Sequence, residues 1–128
     1  MIDHISINVS NSEVSKAFYT AALEPLGYRI VMEFDPVVGM GAPLPNAPED
    51  APIPADLWIV PAENPTPCHI AVSASSPEQV GAFYRAAIAA GGVDNGEPGE
   101  RPHYHPGYYG AFVLDPDGNN LEAVFHGN

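Results

Sequence analysis

Two stretches of this chain alternate apolar and polar residues in the same way. Residues 4–9 and 69–74 both begin with His-Ile and place apolar side chains at every second position, which is the pattern of a half-buried β-strand. Aligning residues 4–27 with 69–92 gives ten identities in 24 positions at a single offset of 65. We therefore infer two copies of one supersecondary unit.

The pattern predicts a helix after the first strand of each copy. A Ser-x-x-Glu capping box begins each helix, at Ser10–Glu13 and at Ser75–Glu78, and Gly27 and Gly91-Gly92 end them. Apolar stripes at helical spacing are expected to pack on the strands. These stripes are Val14, Phe18, Ala21 and Ala22 in the first copy, and Val80, Phe83, Ala87 and Ile88 in the second.

Further strands complete each copy. Nine of the fifteen prolines lie in residues 36–67, so a long loop is predicted there, and the turn Asp115-Pro116-Asp117-Gly118 joins the last two strands as a hairpin. The fold class is α+β: a single domain of two β-α-β-β-β modules, at about 1–63 and 67–128, forming a mostly antiparallel eight-stranded curled sheet around a cavity with the helices outside. The predicted strands are Tyr28–Phe34, Val37–Met40, Asp56–Val60, Tyr108–Leu114 and Asn119–Phe125.

Charge and composition exclude several classes of partner. Four Lys and Arg against sixteen Asp and Glu give a net charge of −12, which opposes binding to nucleic acid or to an anionic membrane surface. No apolar run reaches the roughly 20 residues of a membrane span, and no signal peptide is visible. A single cysteine excludes an internal disulfide framework and is typical of a cytoplasmic protein.

The polar faces of the strands carry the candidate chemistry. His4 and His69 occupy equivalent positions in the first strand of each copy, and alternation places Glu122 of the last strand on the same face. Two imidazoles and one carboxylate suit Fe(II) or Mn(II), and Zn(II) also accepts them. Solvated or hydrogen-bonded histidines are the alternative. Trp58 stands where the second copy has Glu122, as a pocket wall or a core residue.

The histidine- and tyrosine-rich segment 101–110 precedes a strand that is expected to line the same cavity. It offers acid–base and hydrogen-bonding groups, with His105 as the predicted acid–base residue and Tyr109 as its helper. An aromatic-rich loop at the sheet edge is the alternative. The remaining predicted substrate-binding residues are Asn8, His103, Tyr108 and Phe112.

The paired modules, the opening histidines and the ending Asp115-Pro116-Asp117-Gly118-Asn119-Asn120-Leu121-Glu122 resemble the vicinal oxygen chelate superfamily of glyoxalase I, bleomycin-resistance proteins and extradiol dioxygenases. The resemblance implies one divalent ion (Fe, Mn, Zn, Ni or Co) on His4, His69 and Glu122. Glyoxalase I has a fourth ligand, a glutamate, where this chain has Trp58. The triad is more similar to that of the extradiol dioxygenases, whose signature His matches His105.

The resemblance implies a metal-dependent lyase, isomerase or dioxygenase that acts on a small molecule with vicinal oxygens, as a homodimer. The alternative it leaves open is a metal-free binding or sequestration protein of the bleomycin-resistance type.

Overall fold

A computed structural model describes residues 1–127, and Asn128, the predicted end of the second module, lies outside them. The α+β class and the two β-α-β-β-β modules are confirmed. The first module contains β1 (Ile5–Val9), α1 (Ser12–Leu23), a short 3-10 helix (Glu24–Leu26), β2 (Arg29–Phe34), β3 (Val37–Gly41) and β4 (Leu57–Pro61). The second contains β5 (His69–Ser73), α2 (Pro77–Ala89), β6 (Val93–Glu100), β7 (Tyr108–Leu114) and β8 (Asn120–His126).

Each module forms its own four-stranded sheet, in the orders β1-β4-β3-β2 and β5-β8-β7-β6. The first and last strands of a module run parallel, and the other pairs are antiparallel. Within residues 1–127 no strand pair joins the two sheets, so the predicted eight-stranded sheet is instead two sheets of four. The reason is that the modules meet through their helices: α1 packs against α2, and β1 and β5 each remain at one edge of their own sheet.

Helix α1 buries a slightly different face from the predicted one. Val14 and Ala21 are exposed, whereas Ser15, Tyr19 and Leu23 are buried. The helix contacts both its own sheet and α2, so its buried face is wider than a stripe that packs on one sheet alone. Neither helix in the described part of the chain is long and apolar enough to cross a membrane.

The helix caps lie one residue after the predicted serines. Asn11 Oδ1 accepts a hydrogen bond from the backbone N–H three residues on, at 3.1 Å, and Ser76 Oγ does the same at 3.2 Å. Both caps have extended backbone, as an N-cap requires. The backbone N–H of Ser10 instead donates to Asp117 Oδ2 at 3.0 Å, which ties the start of the first helix to the second module.

Strand β6 has no apolar alternation and was not predicted. Its sequence includes Gly96, Pro98 and Gly99, and its pairing with β7 is interrupted by two register shifts. A Cβ at Gly96 would lie 2.8 Å from the Phe112 ring, so glycine is required for this close approach. The strand therefore depends on its pairing with β7 rather than on local propensity.

The carboxylate of Asp115 organises the hairpin between β7 and β8. Its Oδ1 accepts from the backbone N–H groups of Asp117 at 2.9 Å and Asn119 at 2.8 Å. Its Oδ2 accepts from the hydroxyl of Tyr19 at 2.6 Å and from Asn119 Nδ2 at 2.8 Å. Asp115 is 4% exposed, so these donors replace the water that the charge loses. The predicted turn is confirmed, and it also anchors α1 to the second module.

We expect Tyr19→Phe to lower the free energy of unfolding by about 1.5–3 kcal/mol, because a hydrogen bond to a charged, buried group is lost. Urea unfolding measures the change. Burial and the charge of Asp115 raise the pKa of Tyr19. This stabilisation is therefore complete below the ordinary tyrosine pKa of about 10 and is lost as the pH rises above it.

Tyr84→Phe is the matched control, since Tyr84 occupies the repeat-equivalent position on α2 and is only half-buried. A smaller loss of stability is expected there. Equal losses in the two variants would contradict the role assigned to the Tyr19–Asp115 contact.

Candidate functional site

His69 and Glu122 meet on the face of the second sheet that points away from α2. Leu121 and Ala123 belong to the hydrophobic core, so alternation places Glu122 on the opposite face. Strands β5 and β8 are parallel neighbours, and His69 Nε2 lies 2.9 Å from Glu122 Oε1. The structure thus brings together two of the three predicted metal ligands.

The two side chains differ greatly in their access to solvent. Glu122 is 1% exposed, whereas the side chain of His69 is 52% exposed. A buried carboxylate is costly unless its oxygens receive hydrogen bonds or a cation. The site therefore combines a buried negative charge with an imidazole that is open to an incoming molecule.

Tyr108 on β7 supplies the second donor to Glu122, since its hydroxyl hydrogen-bonds Glu122 Oε2. A Cβ at Gly110 would lie 3.2 Å from the same oxygen, so a glycine here leaves room for the carboxylate. Burial, the hydrogen bond and the charge of Glu122 raise the pKa of Tyr108 to about 12. The phenol is therefore protonated at neutral pH and acts as a hydrogen-bond donor.

His4 lies apart from this pair within one chain. It precedes β1, its side chain is 55% exposed, and its Nδ1 is 2.6 Å from Asp3 Oδ1. Over residues 1–127 no group of three or more His, Cys, Asp and Glu side chains is placed to hold a metal ion. The three predicted ligands are therefore not assembled in a single copy. Asn8, further along β1, is also exposed.

Trp58 occupies the position in the first sheet that Glu122 occupies in the second. Ser6 pairs with Trp58, and the repeat-equivalent Ala71 pairs with Glu122. The predicted equivalence is confirmed. The ring of Phe34 stacks on Trp58 with centroids 6.2 Å apart and planes inclined by 17°. Phe34 was not among the predicted site residues, although its position at the end of β2 follows from strand alternation.

Phe112 forms a wall beside the His69–Glu122 pair. It is directly opposite Glu122 in the β7–β8 register, and its ring centroid is 6.1 Å from that of His69. The guanidinium carbon of Arg101 lies 5.4 Å from the Phe112 ring centroid, within the range of a cation–π contact. Arg101 begins the histidine- and tyrosine-rich segment, but no role at the site was predicted for it.

Other predicted residues lie elsewhere. Tyr109 is partly buried and packs against the core, on the face of β7 that also carries the buried Ala111 and Val113, whereas Tyr108 faces the His69–Glu122 pair. The ring of His105 contacts the edge of Tyr108 rather than Glu122. His103 is exposed, and its ring contacts that of the adjacent Tyr104 at an inclination of 49°.

Residues 1–123 match the sequence profile of the Glyoxalase/Bleomycin resistance protein/Dioxygenase superfamily. The chain belongs to this superfamily. The predicted resemblance to the vicinal oxygen chelate proteins is therefore confirmed. No protein of curated function matches the chain significantly.

Solved structures from the superfamily show the same fold. A glyoxalase/bleomycin resistance protein from Albidiferax ferrireducens has 30% identity and a TM-score of 0.79, with 98% of both chains covered. A superfamily enzyme from Burkholderia phytofirmans has 18% identity and a TM-score of 0.70, with 98% of both chains covered. A glyoxalase-related enzyme from Fulvimarina pelagi has 19% identity and a TM-score of 0.69, with 98% of this chain and 87% of that chain covered.

We expect Glu122→Gln to lower the pKa of Tyr108, because two of the causes that raise it depend on the carboxylate while burial remains. An NMR pH titration of isotope-labelled tyrosine measures the change, with the Tyr108 signal assigned by its loss in Tyr108→Phe. Glu100→Gln, which removes an exposed carboxylate of β6, is the control and should leave the midpoint unchanged. An unchanged midpoint in Glu122→Gln would show that the contact does not exist in solution.

Proposed function

We propose that this chain is a divalent-metal-dependent enzyme that acts, as a homodimer, on a small molecule with two adjacent oxygen atoms. The observation that carries the proposal is the His69–Glu122 pair, in which a buried carboxylate and a half-exposed imidazole face the same open surface of the second sheet. Superfamily membership agrees with this chemistry.

The residues present fit a metal ion. Imidazole nitrogen and carboxylate oxygen are ligands of Fe(II), Mn(II), Zn(II) and related ions. The 2.9 Å between His69 Nε2 and Glu122 Oε1 is a separation that two bonds of about 2.0–2.2 Å to one ion can span. Tyr108 holds the other oxygen of Glu122, which is the kind of outer support that ligating carboxylates receive.

We assign the third ligand to His4 of a second copy. Three observations support this assignment. His4 is exposed at the start of β1; β1 and β5 are both outer strands of their sheets in the described chain; and the side chain of His69 is half exposed. A dimer in which β1 of one copy lies beside β5 of the other brings the two histidines together at each of two symmetric sites.

An ion at this site would polarise the substrate's adjacent oxygens and stabilise the oxyanion that forms on them. Glu122 contributes a negative charge that burial keeps from solvent. Tyr108, protonated at neutral pH, fixes the orientation of that carboxylate and is a positioning residue. Phe112 lies on one side of His69, and Arg101 covers the Phe112 ring.

Metal analysis after reconstitution with Fe(II), Mn(II), Zn(II), Ni(II) or Co(II) tests the site. We expect His69→Ala and Glu122→Gln each to bind one ion fewer per chain than the unmodified protein, because each removes a ligand of the same site. His103→Ala removes an exposed histidine outside the pair and should retain that ion. Equal metal content in all four proteins would overturn the proposal.

Mixing two defective variants tests whether the site is shared between copies. His4→Ala and His69→Ala homodimers each lack a ligand at both sites. A mixed dimer has one site with both histidines intact if the ligands come from different copies, so unfolding and refolding the two variants together should restore metal binding in part. No restoration would contradict the shared site, while retention of the ion by His4→Ala alone would contradict the role of His4.

A second function, metal-free binding of a planar cation, is favoured by a different observation. The stacked Phe34 and Trp58 rings offer an aromatic surface on the first sheet, Phe34 is 63% exposed, and the chain carries a net charge of −12. Trp58 is the chain's single tryptophan, so its fluorescence reports binding directly. Quenching by an aromatic cation in chelator-treated protein, unchanged in His69→Ala, would support this function over the metal-dependent one.

A further inference from the structure

His105 and His126 form a pair of histidines that is separate from the His69–Glu122 pair. His105 Nε2 lies 3.0 Å from His126 Nδ1, and the two rings stack with centroids 5.1 Å apart and planes inclined by 21°. Both residues are exposed. We propose that this pair is a divalent-metal site of its own, suited to a late first-row ion such as Ni(II) or Cu(II).

The backbone fixes His105 through a tight turn. Tyr108 N donates to His105 O at 3.2 Å, which closes a four-residue turn with Pro106 and Gly107 at its centre. Gly107 has φ +86, and proline followed by a glycine of positive φ is the signature of a type II turn. The position of His105 is therefore set by local backbone chemistry rather than by a flexible loop.

His126 is held against this turn from the neighbouring strand. It lies directly opposite Tyr108 in the β7–β8 register. The next residue, Gly127, donates its backbone N–H to Gly107 O at 2.7 Å. Both histidines are thus anchored by main-chain hydrogen bonds before any ion binds, which reduces the ordering cost of forming the site.

The hydrogen bonds also direct a nitrogen lone pair of His105 at the ring of His126. Pro106 O is an acceptor only, and His105 Nδ1 lies 2.8 Å from it, so Nδ1 carries the proton and Nε2 is unprotonated in the neutral ring. Metal-binding histidines typically donate their second N–H to a carbonyl in this way. His126 Nδ1 becomes the second ligand when its proton moves to Nε2, which changes the tautomer and not the charge.

The separation of the two nitrogens fits the coordination geometry of Ni(II) and Cu(II). With metal–nitrogen bonds of about 2.0–2.1 Å, a 3.0 Å separation corresponds to an angle at the ion of about 95°. That angle suits neighbouring positions of an octahedral or square-planar centre, the geometries of Ni(II) and Cu(II). Affinity for such sites also rises along the series to Cu(II).

The pair is independent of the site in the proposed function. The Tyr108 ring lies edge-on to both histidines, 5.3 Å from each centroid, and its hydroxyl contacts Glu122, so a tyrosine separates the two. The inference therefore holds whether or not His69 and Glu122 bind a metal. An ion on His105 and His126 keeps its other positions open to water or a small ligand.

Calorimetric titration of tag-free protein with Ni(II), and in parallel with Cu(II), tests the pair. The parent protein is His69→Ala, so that the site of the proposed function is removed and the two proposals fail separately. We expect the parent to bind one ion per chain, and addition of His105→Ala or His126→Ala to weaken binding by about tenfold or more, as loss of one of two ligands requires.

His103→Ala in the same parent is the matched control, because His103 lies on the same segment and is equally exposed but outside the pair. Retained affinity in that control, together with two-nitrogen hyperfine splitting in the electron paramagnetic resonance spectrum of the Cu(II) form, supports the assignment. A parent that binds neither ion, or equal losses in the His103, His105 and His126 variants, overturns it and leaves the pair as a hydrogen bond only.

Discussion

The buried carboxylate of Asp115 holds the two modules and the candidate site in one arrangement. Four donors satisfy its oxygens: two backbone N–H groups of the turn, Asn119 Nδ2 and the Tyr19 hydroxyl of the first helix. The turn fixes the register of β7 on β8, and that register places Tyr108 and Glu122 within hydrogen-bond distance. Because a carboxylate left with unmet hydrogen bonds in this position is costly, the turn, the helix and the site are energetically linked.

A second buried carboxylate, Glu122, imposes the local chemistry. Because Glu122 is only 1% exposed, burying its carboxylate is costly unless donors or a cation lie nearby. Tyr108 contacts one of its oxygens and His69 the other. Tyr108 in turn contacts the His105–His126 pair. Five aromatic or titratable side chains therefore lie along one face of the second sheet, and the first sheet offers Phe34 and Trp58 on its own face. The two modules keep a common backbone plan but carry different chemistry on it.

Much of the fold was predictable because the alternation of apolar and polar residues is a local property and because the repeat is visible in the sequence itself. They located seven of the eight strands within one or two residues at either end and predicted that His69 and Glu122 share a face. The eighth, β6, was missed because Gly96, Pro98 and Gly99 give no pattern and the strand depends on β7. The buried face of α1 was misjudged for a related reason, since a sequence does not reveal that a helix is covered on two sides.

The sequence by itself determined the two-module plan, the hairpin, the side-chain alternation of every strand except β6, and the equivalence of Trp58 with Glu122. All of these depend on residues close in the chain or on the repeat, where local geometry decides the outcome. The tertiary structure alone decided how the modules meet. Packing of α1 against α2 leaves β1 and β5 as outer strands, and so His4 is apart from His69 within one copy. The tertiary structure also brought His126 close to His105, which lies 21 residues earlier in the chain. A contact between residues so far apart in the chain depends on burial and strand pairing rather than on a local pattern.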